Sequence, residues 1–193
     1  MPVLETERLL IRPFLPDDLQ VVHHILDVSL AEVDMGNEGT KTLPERRLWL
    51  EWTVLSYSQF AALYQPPYGD RAVTLKADGV LVGAVGFVPS FGPFGQLPSL
   101  GGALSHNTAE FGLYYVISPV QQRKGYAFEA VEAMVDYAFR ALNLQRLVAT
   151  TTFGNAASIG LMSKLGMGVE HNPFSDPTWF QVVGILENPG RVA

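Results

Sequence analysis

Between Ala109 and Leu142 the chain changes its hydrophobic period once, and that change restricts the fold more than any other feature. AEFGLYYVIS reads as a strand and is ended by Pro119. After the turn residues, Ala127, Val131, Met134, Ala138 and Leu142 recur at steps of 4, 3, 4 and 4, the mark of one buried helix face. Glu129, Glu132, Asp136 and Arg140 fall on the opposite face, acids early and the arginine late, as the helix dipole prefers. Strand and helix are joined by QQRKGYAFEA, Gln121 to Ala130, which gathers positive charge where the helix begins.

The first turn of a helix leaves backbone N–H groups without intrahelical partners. Gly125 lets a ligand approach them closely, and small Ala127 keeps the next turn clear. Aligned peptide dipoles place roughly half a positive charge there, and Arg123 and Lys124 add to it. Such an end suits a phosphate. On the local pattern two readings stand, a pyrophosphate cradle and a basic glycine turn that binds nothing. The stretch is neither a GxxxxGK[ST] loop nor a GxGxxG turn after a first strand.

The rest of the chain interleaves strands and helices. RLLIRPF reads as a first strand, and Pro16-Asp17-Asp18 opens a helix. The polar stretch Asp34 to Thr42 leads to a second helix, with Pro44 in its first turn and Leu48, Trp52 and Leu55 at helical spacing. RAVTLKADGVLVGAVGFV switches to period two around a hairpin turn at Asp78-Gly79. Pro89 to Asn107, rich in glycine and proline, reads as a binding or mobile loop. LQRLVATTTF is a strand, NAASIGLMSKLG a short helix stopped by Gly166, and strands follow around Met167–Glu170 and Trp179–Leu186. The expectation is one mixed α/β (α+β) domain over residues 1–193.

Composition narrows the function. The 193 residues include no cysteine, which removes disulfides, thiolate metal sites and a cysteine nucleophile. A net charge of −6 argues against a nucleic-acid-binding face and suits a cationic or amine partner, or simple solubility. No apolar run reaches membrane-spanning length and no signal-peptide pattern opens the chain, so a cytoplasmic protein without a membrane partner is expected. None of the four histidines has a metal-like partner at helical spacing, so no metal is expected. His106, four residues before Glu110, reads as a surface residue or a substrate contact.

Gln122-Arg123-Lys124-Gly125-Tyr126-Ala127 resembles the Q/R-x-x-G-x-G/A motif of the GNAT acetyltransferase superfamily. TERLLIRPFLPDD is similar to the opening of its RimJ/RimL-like branch, the ribosomal-protein N-terminal acetyltransferases. YYVISP resembles the family's fourth strand, and NAASIGLMSKLGM its Asn-x-x-Ser helix. The resemblance implies a GNAT acyl-CoA N-acyltransferase fold: a mixed, mostly antiparallel central sheet, flanked by helices and splayed at the fourth strand. It implies an N-acetyltransferase that takes acetyl-CoA as donor and a primary amine, on a peptide or a small molecule, as acceptor. Attack would be direct, in a ternary complex, by a monomer or homodimer. A non-catalytic acyl-CoA sensing module of the same fold is the alternative.

By that resemblance Gln122, Arg123, Lys124, Gly125, Tyr126 and Ala127 cradle the pyrophosphate, main-chain groups at Val116 and Ile117 bind the pantetheine arm, and Asn155 reaches a pantetheine amide or caps its helix. Residues 89–107 would form an acceptor-side loop, and Trp49, Trp52 and Tyr57 either wall the acceptor pocket or fill core. Acetyl transfer needs a base for the ammonium and a donor for the departing thiolate. Glu110 is the candidate base, although the family's usual glutamate position holds Gly112, about 7 Å along the strand. A solvated edge glutamate is the competing reading. Ser158 is the candidate donor, with a hydroxyl bonded back to its own helix as the alternative. Met162, where many family members carry tyrosine, cannot supply a proton.

Overall fold

A computed structural model describes residues 1–31, 39–102 and 106–190. Residues 34–38 of the polar stretch and 103–105 of the expected acceptor-side loop lie outside the described residues. The described residues form eight strands, the seven expected and a short one before them: β1 (Leu4–Glu5), β2 (Leu9–Pro13), β3 (Gly69–Leu75), β4 (Leu81–Gly92), β5 (Thr108–Ile117), β6 (Arg146–Thr151), β7 (Gly168–His171) and β8 (Val182–Glu187). They hydrogen-bond in the order β1-β2-β3-β4-β5-β6-β8-β7. The pairings of β1 with β2, β2 with β3, β3 with β4, β6 with β8 and β7 with β8 are antiparallel. β5 and β6 run parallel, with one registered pair, Gly112 with Val148. Among the described residues the α-helices are α1 (Leu19–His23), α2 (Leu43–Ala62), α3 (Tyr126–Arg140) and α4 (Ala156–Lys164). None among the described residues is long and apolar enough to cross a membrane.

The chain packs as two compact units. The first comprises Met1–Val88 and Tyr114–Met134. Its core joins Phe14, Val22, Ile25, Leu26 and Leu50 from the α1 and α2 layer to Ala72, Leu81, Ala84 and Val116 on one sheet face. α1 continues as a wider turn, His24–Ser29, which buries Asp27. α2 begins at a capping box in which the Glu45 carboxylate accepts from the Thr42 N–H and hydroxyl at 2.8 and 2.7 Å. Gly83 closes this sheet: a methyl group there would lie 2.2 Å from the Val116 carbonyl oxygen.

The second unit comprises Pro89–Leu113 and Val135–Ala193. Within Pro89–Asn107, expected as a binding or mobile loop, residues 89–102 carry regular structure. β4 continues to Gly92, and short 3-10 turns follow at Phe94–Gln96 and Pro98–Leu100. Phe94 and Leu97 are buried with Val148, Phe180, Val183 and Ile185. The Phe94 and Phe180 rings meet edge to face at 5.0 Å. Burying such a side chain contributes about 1.5–3 kcal/mol, which pins the segment.

Gly83→Ala should lower stability by about 1–3 kcal/mol through overpacking. Gly160→Ala, in α4 with nothing within 4 Å of the new methyl group, should raise it by about 0.5–1 kcal/mol. Urea midpoints of the two variants should move in opposite directions.

Candidate active site

The cradle segment lies wholly in the first unit. Arg123 and Gly125 adopt positive φ, +60° and +85°, on either side of Lys124. Such turns aim successive N–H groups into one concavity. Among the described residues, the backbone N–H groups of Arg123, Lys124, Gly125, Tyr126 and Ala127 have no hydrogen-bond acceptor. The first bond of the helix is Glu129 N–H to the Gly125 carbonyl. Residues 122–125 are exposed. Five converging donors at a helix start fit a diphosphate.

Arg8, which the sequence reading passed over, holds this turn in place. Its guanidinium donates to the Lys124 carbonyl at 3.0 Å and lies over the Tyr126 ring, 4.7 Å from the centroid. The same group pairs with Glu129 at 2.6 Å, while the Arg8 N–H donates to the other carboxylate oxygen at 2.8 Å. Burial alone would raise the Glu129 carboxyl. The Thr6 hydroxyl and the Arg8 donors outweigh it and hold the carboxyl below its ordinary value. Glu129 was expected on a solvated face and is instead the anchor of the loop. Asp136 and Arg140, placed on the same face, are exposed and pair at 2.6 Å.

Two cradle side chains are turned inward to the chain itself. Lys124 Nζ donates to Gln121 at 2.7 Å, and Gln122 Nε2 donates to the Ile117 carbonyl at 3.0 Å. Gln122 thereby ties the cradle to the end of β5. The Val116 carbonyl lies against Gly83 on β4, so strand alternation puts the Ile117 peptide groups on the other edge. Val116 and Ile117, the two expected pantetheine contacts, are both buried, and the Ile117 carbonyl already accepts from Gln122.

The remaining predicted residues belong to the second unit. Asn155 caps α4, its side-chain oxygen accepting the Ser158 N–H at 3.0 Å. Ser158 is half-buried one turn into the helix. Met162 is fully buried against the Gly184 backbone, a core residue. Glu110 does not stand free. Arg146 grips both its carboxylate oxygens at 2.7 and 2.9 Å, and the Thr108 hydroxyl donates at 3.3 Å. The Glu110 side chain is only 7% exposed. It is not a solvated edge residue, and three donors take most of its lone pairs. Arg146 carried no signal, since nothing in LQRLV announces a partner 36 residues away.

Of the candidate pocket aromatics, Tyr57 and Trp49 fill core in the first unit. Tyr57 accepts the Phe14 N–H at 3.1 Å and donates to the Asp70 carbonyl. Burial pushes its hydroxyl up to about 12. Trp49 packs edge-on to Phe14 at 5.6 Å, under the Arg46 guanidinium. Trp52 is exposed. His106 is exposed, and no group of three or more metal-ligating side chains occurs among the described residues.

A family model of the acetyltransferase (GNAT) domain matches residues 8–168. The chain belongs to the GNAT acetyltransferases. Enzymes of this family take their acetyl group from acetyl-coenzyme A, and this acetyltransferase is an acyl-transferring enzyme like them. Among its relatives is the uncharacterized N-acetyltransferase YnaD of Bacillus subtilis (strain 168), 31% identical over 168 residues, 85% of this chain and 81% of YnaD. The spermidine N(1)-acetyltransferase of Escherichia coli (strain K12) is 28% identical over 163 residues, 83% of this chain and 73% of that one. RimL, a ribosomal L7/L12 alpha-N-protein acetyltransferase solved in complex with coenzyme A, shares the fold. Its TM-score is 0.65 at 11% identity, over 95% of this chain and 96% of RimL.

Arg146→Ala should strand the Glu110 carboxylate and lower stability by about 3 kcal/mol, measured by urea unfolding. Arg146→Lys should recover only part of the loss, because an ammonium cannot reproduce the two-point fork.

Proposed function

We propose that this acetyltransferase moves the acetyl group of acetyl-CoA to a primary amine by direct attack in a ternary complex. The observation that carries the reading is the run of five unpaired N–H groups from Arg123 to Ala127, held open by Arg8. They would bind the donor's pyrophosphate. The main chain of β5 near Ile117 would then bind the pantetheine arm as an added strand. A cationic acceptor is supported by the net charge of −6 and by the kinship with a spermidine N(1)-acetyltransferase. The opening TERLLIRPFLPDD supports a RimJ/RimL-like ancestry, in which a protein N-terminus is the acceptor.

Both acceptors present the same chemistry, a protonated primary amine that must lose its proton before attack. A second reading, an acyl-CoA-binding module without turnover, draws on one observation: Arg146 occupies the expected base.

Titration calorimetry with coenzyme A should give a saturable heat. Arg8→Ala should weaken that binding about tenfold, or ~1.4 kcal/mol, by releasing the loop. Free-thiol release from acetyl-CoA, assayed with spermidine and with short peptides bearing free N-termini, should show turnover with at least one amine. Saturable heat without thiol release would leave the binding module as the correct reading, and absence of heat would remove both.

A further inference from the structure

Among the described residues of the first unit, four carboxylates are not fully exposed, and three of them have arginine partners. Asp18 has Arg12 at 2.7 Å, Asp27 has Arg46 at 2.7 Å and Glu129 has Arg8 at 2.6 Å. Asp70 has none. Among the described residues no donor reaches its carboxylate, and only its main-chain carbonyl is used, by Tyr57.

Its position is set by the sheet register. Asp70 pairs with Gly86 across β3 and β4, and two residues on Ala72 pairs with Ala84. Ala72 and Ala84 belong to the core beneath α1 and α2, so Asp70 and Gly86 continue that face beyond its apolar part. On β5 the same applies to Tyr114, two residues before Val116 and packed at the core's margin. The missing side chain at Gly86 makes room for the carboxyl: a methyl group there would sit 2.9 Å from Asp70 Oδ1. The Tyr114 hydroxyl likewise has no hydrogen-bond partner among the described residues, and it feels the Asp70 charge.

We propose that Asp70 is the proton acceptor for the amine substrate, with Gly86 and Tyr114 shaping the subsite that receives it. The assignment rests on the acetyl-transfer reading above and supplies the base that Arg146 denies to Glu110. Desolvation pushes the Asp70 carboxyl up to about 6, with Arg46 pulling weakly the other way. Arg46 is already committed to Asp27. Ionised at neutral pH, the carboxylate is unpaired and more basic than an ordinary aspartate, a combination that favours both ammonium binding and proton removal.

The protons balance. The ammonium R–NH3+ gives one proton to Asp70, and the nitrogen lone pair forms the new C–N bond. The C–S bond breaks with its electron pair on sulfur, and the second nitrogen proton neutralises the thiolate. The Asp70 proton then passes to solvent.

Besides desolvation, the charged group that acts on this titration is Arg46 from α2; Tyr57 from α2 and Tyr114 from β5 feel the Asp70 charge in turn, and Asp27 and Arg71 act on those two hydroxyls. A carboxyl raised in the folded state favours folding below its unfolded value of 3.8 and loses that advantage as pH rises through about 6. Asp70→Asn should therefore have a urea midpoint at pH 8 equal to or above that of the parent, with coenzyme A affinity within twofold. The parent's kcat/KM for spermidine or a peptide amine should fall below about pH 6. In Asp70→Asn, kcat/KM should drop by about 100-fold or more, and that acid limb should vanish. Glu110→Gln should retain the limb. A less than threefold loss in Asp70→Asn with coenzyme binding intact would overturn the Asp70 assignment alone. A lower midpoint at pH 8 with a matching loss of coenzyme affinity would reduce Asp70 to a structural residue. Absence of coenzyme A heat in the parent would instead remove the acetyl-transfer reading on which the assignment stands.

Discussion

Everything in the donor half of this protein depends on peptide N–H groups that the fold declines to satisfy. A helix start always leaves such donors, but here the deficit extends back through the turn to Arg123. Keeping it open requires a left-handed non-glycine residue, worth roughly 1–2 kcal/mol against the turn. The Arg8 guanidinium offsets that strain by bracing the Lys124 carbonyl, the Tyr126 ring and the Glu129 carboxylate together. The N–H groups thus point outward before any ligand arrives, which lowers the ordering cost of binding.

The same unit treats its carboxylates unevenly, and the unevenness separates structure from chemistry. Asp18, Asp27 and Glu129 are each neutralised by a cation, the ordinary fate of a desolvated acid. Asp70 is left to face Tyr114 across a glycine. In the second unit Glu110 follows the ordinary rule with Arg146. A carboxylate in a charge-paired fork is a poor base because proton uptake must first break the pair.

Period and punctuation made most of the fold legible. The buried face of α3, the hairpin at Asp78-Gly79, the cap at Asn155 and the order of the strands all follow from local rules that act within a few residues. The cradle was legible for the same reason, since a helix start, a glycine and two cations are neighbours in the chain. What escaped was long-range. Arg8 meets Lys124 across 116 residues, and Arg146 meets Glu110 across 36. No periodicity records such meetings. Asp70 escaped because its significance is a missing partner, and a sequence does not show what fails to arrive. The burial of Phe94 and Leu97 after Pro89 was not legible, because glycine and proline mark turns whether or not those turns bury a side chain.

The brace from Arg8 makes the amino-terminal segment part of the turn at Lys124. A fusion tag, a protease nick or a trimmed start that disturbs Thr6 or Arg8 would act on a turn more than a hundred positions downstream. Its first symptom would be slack in that turn while the two cores stayed intact. Preparations that differ only at that end are therefore not interchangeable in kinetic work.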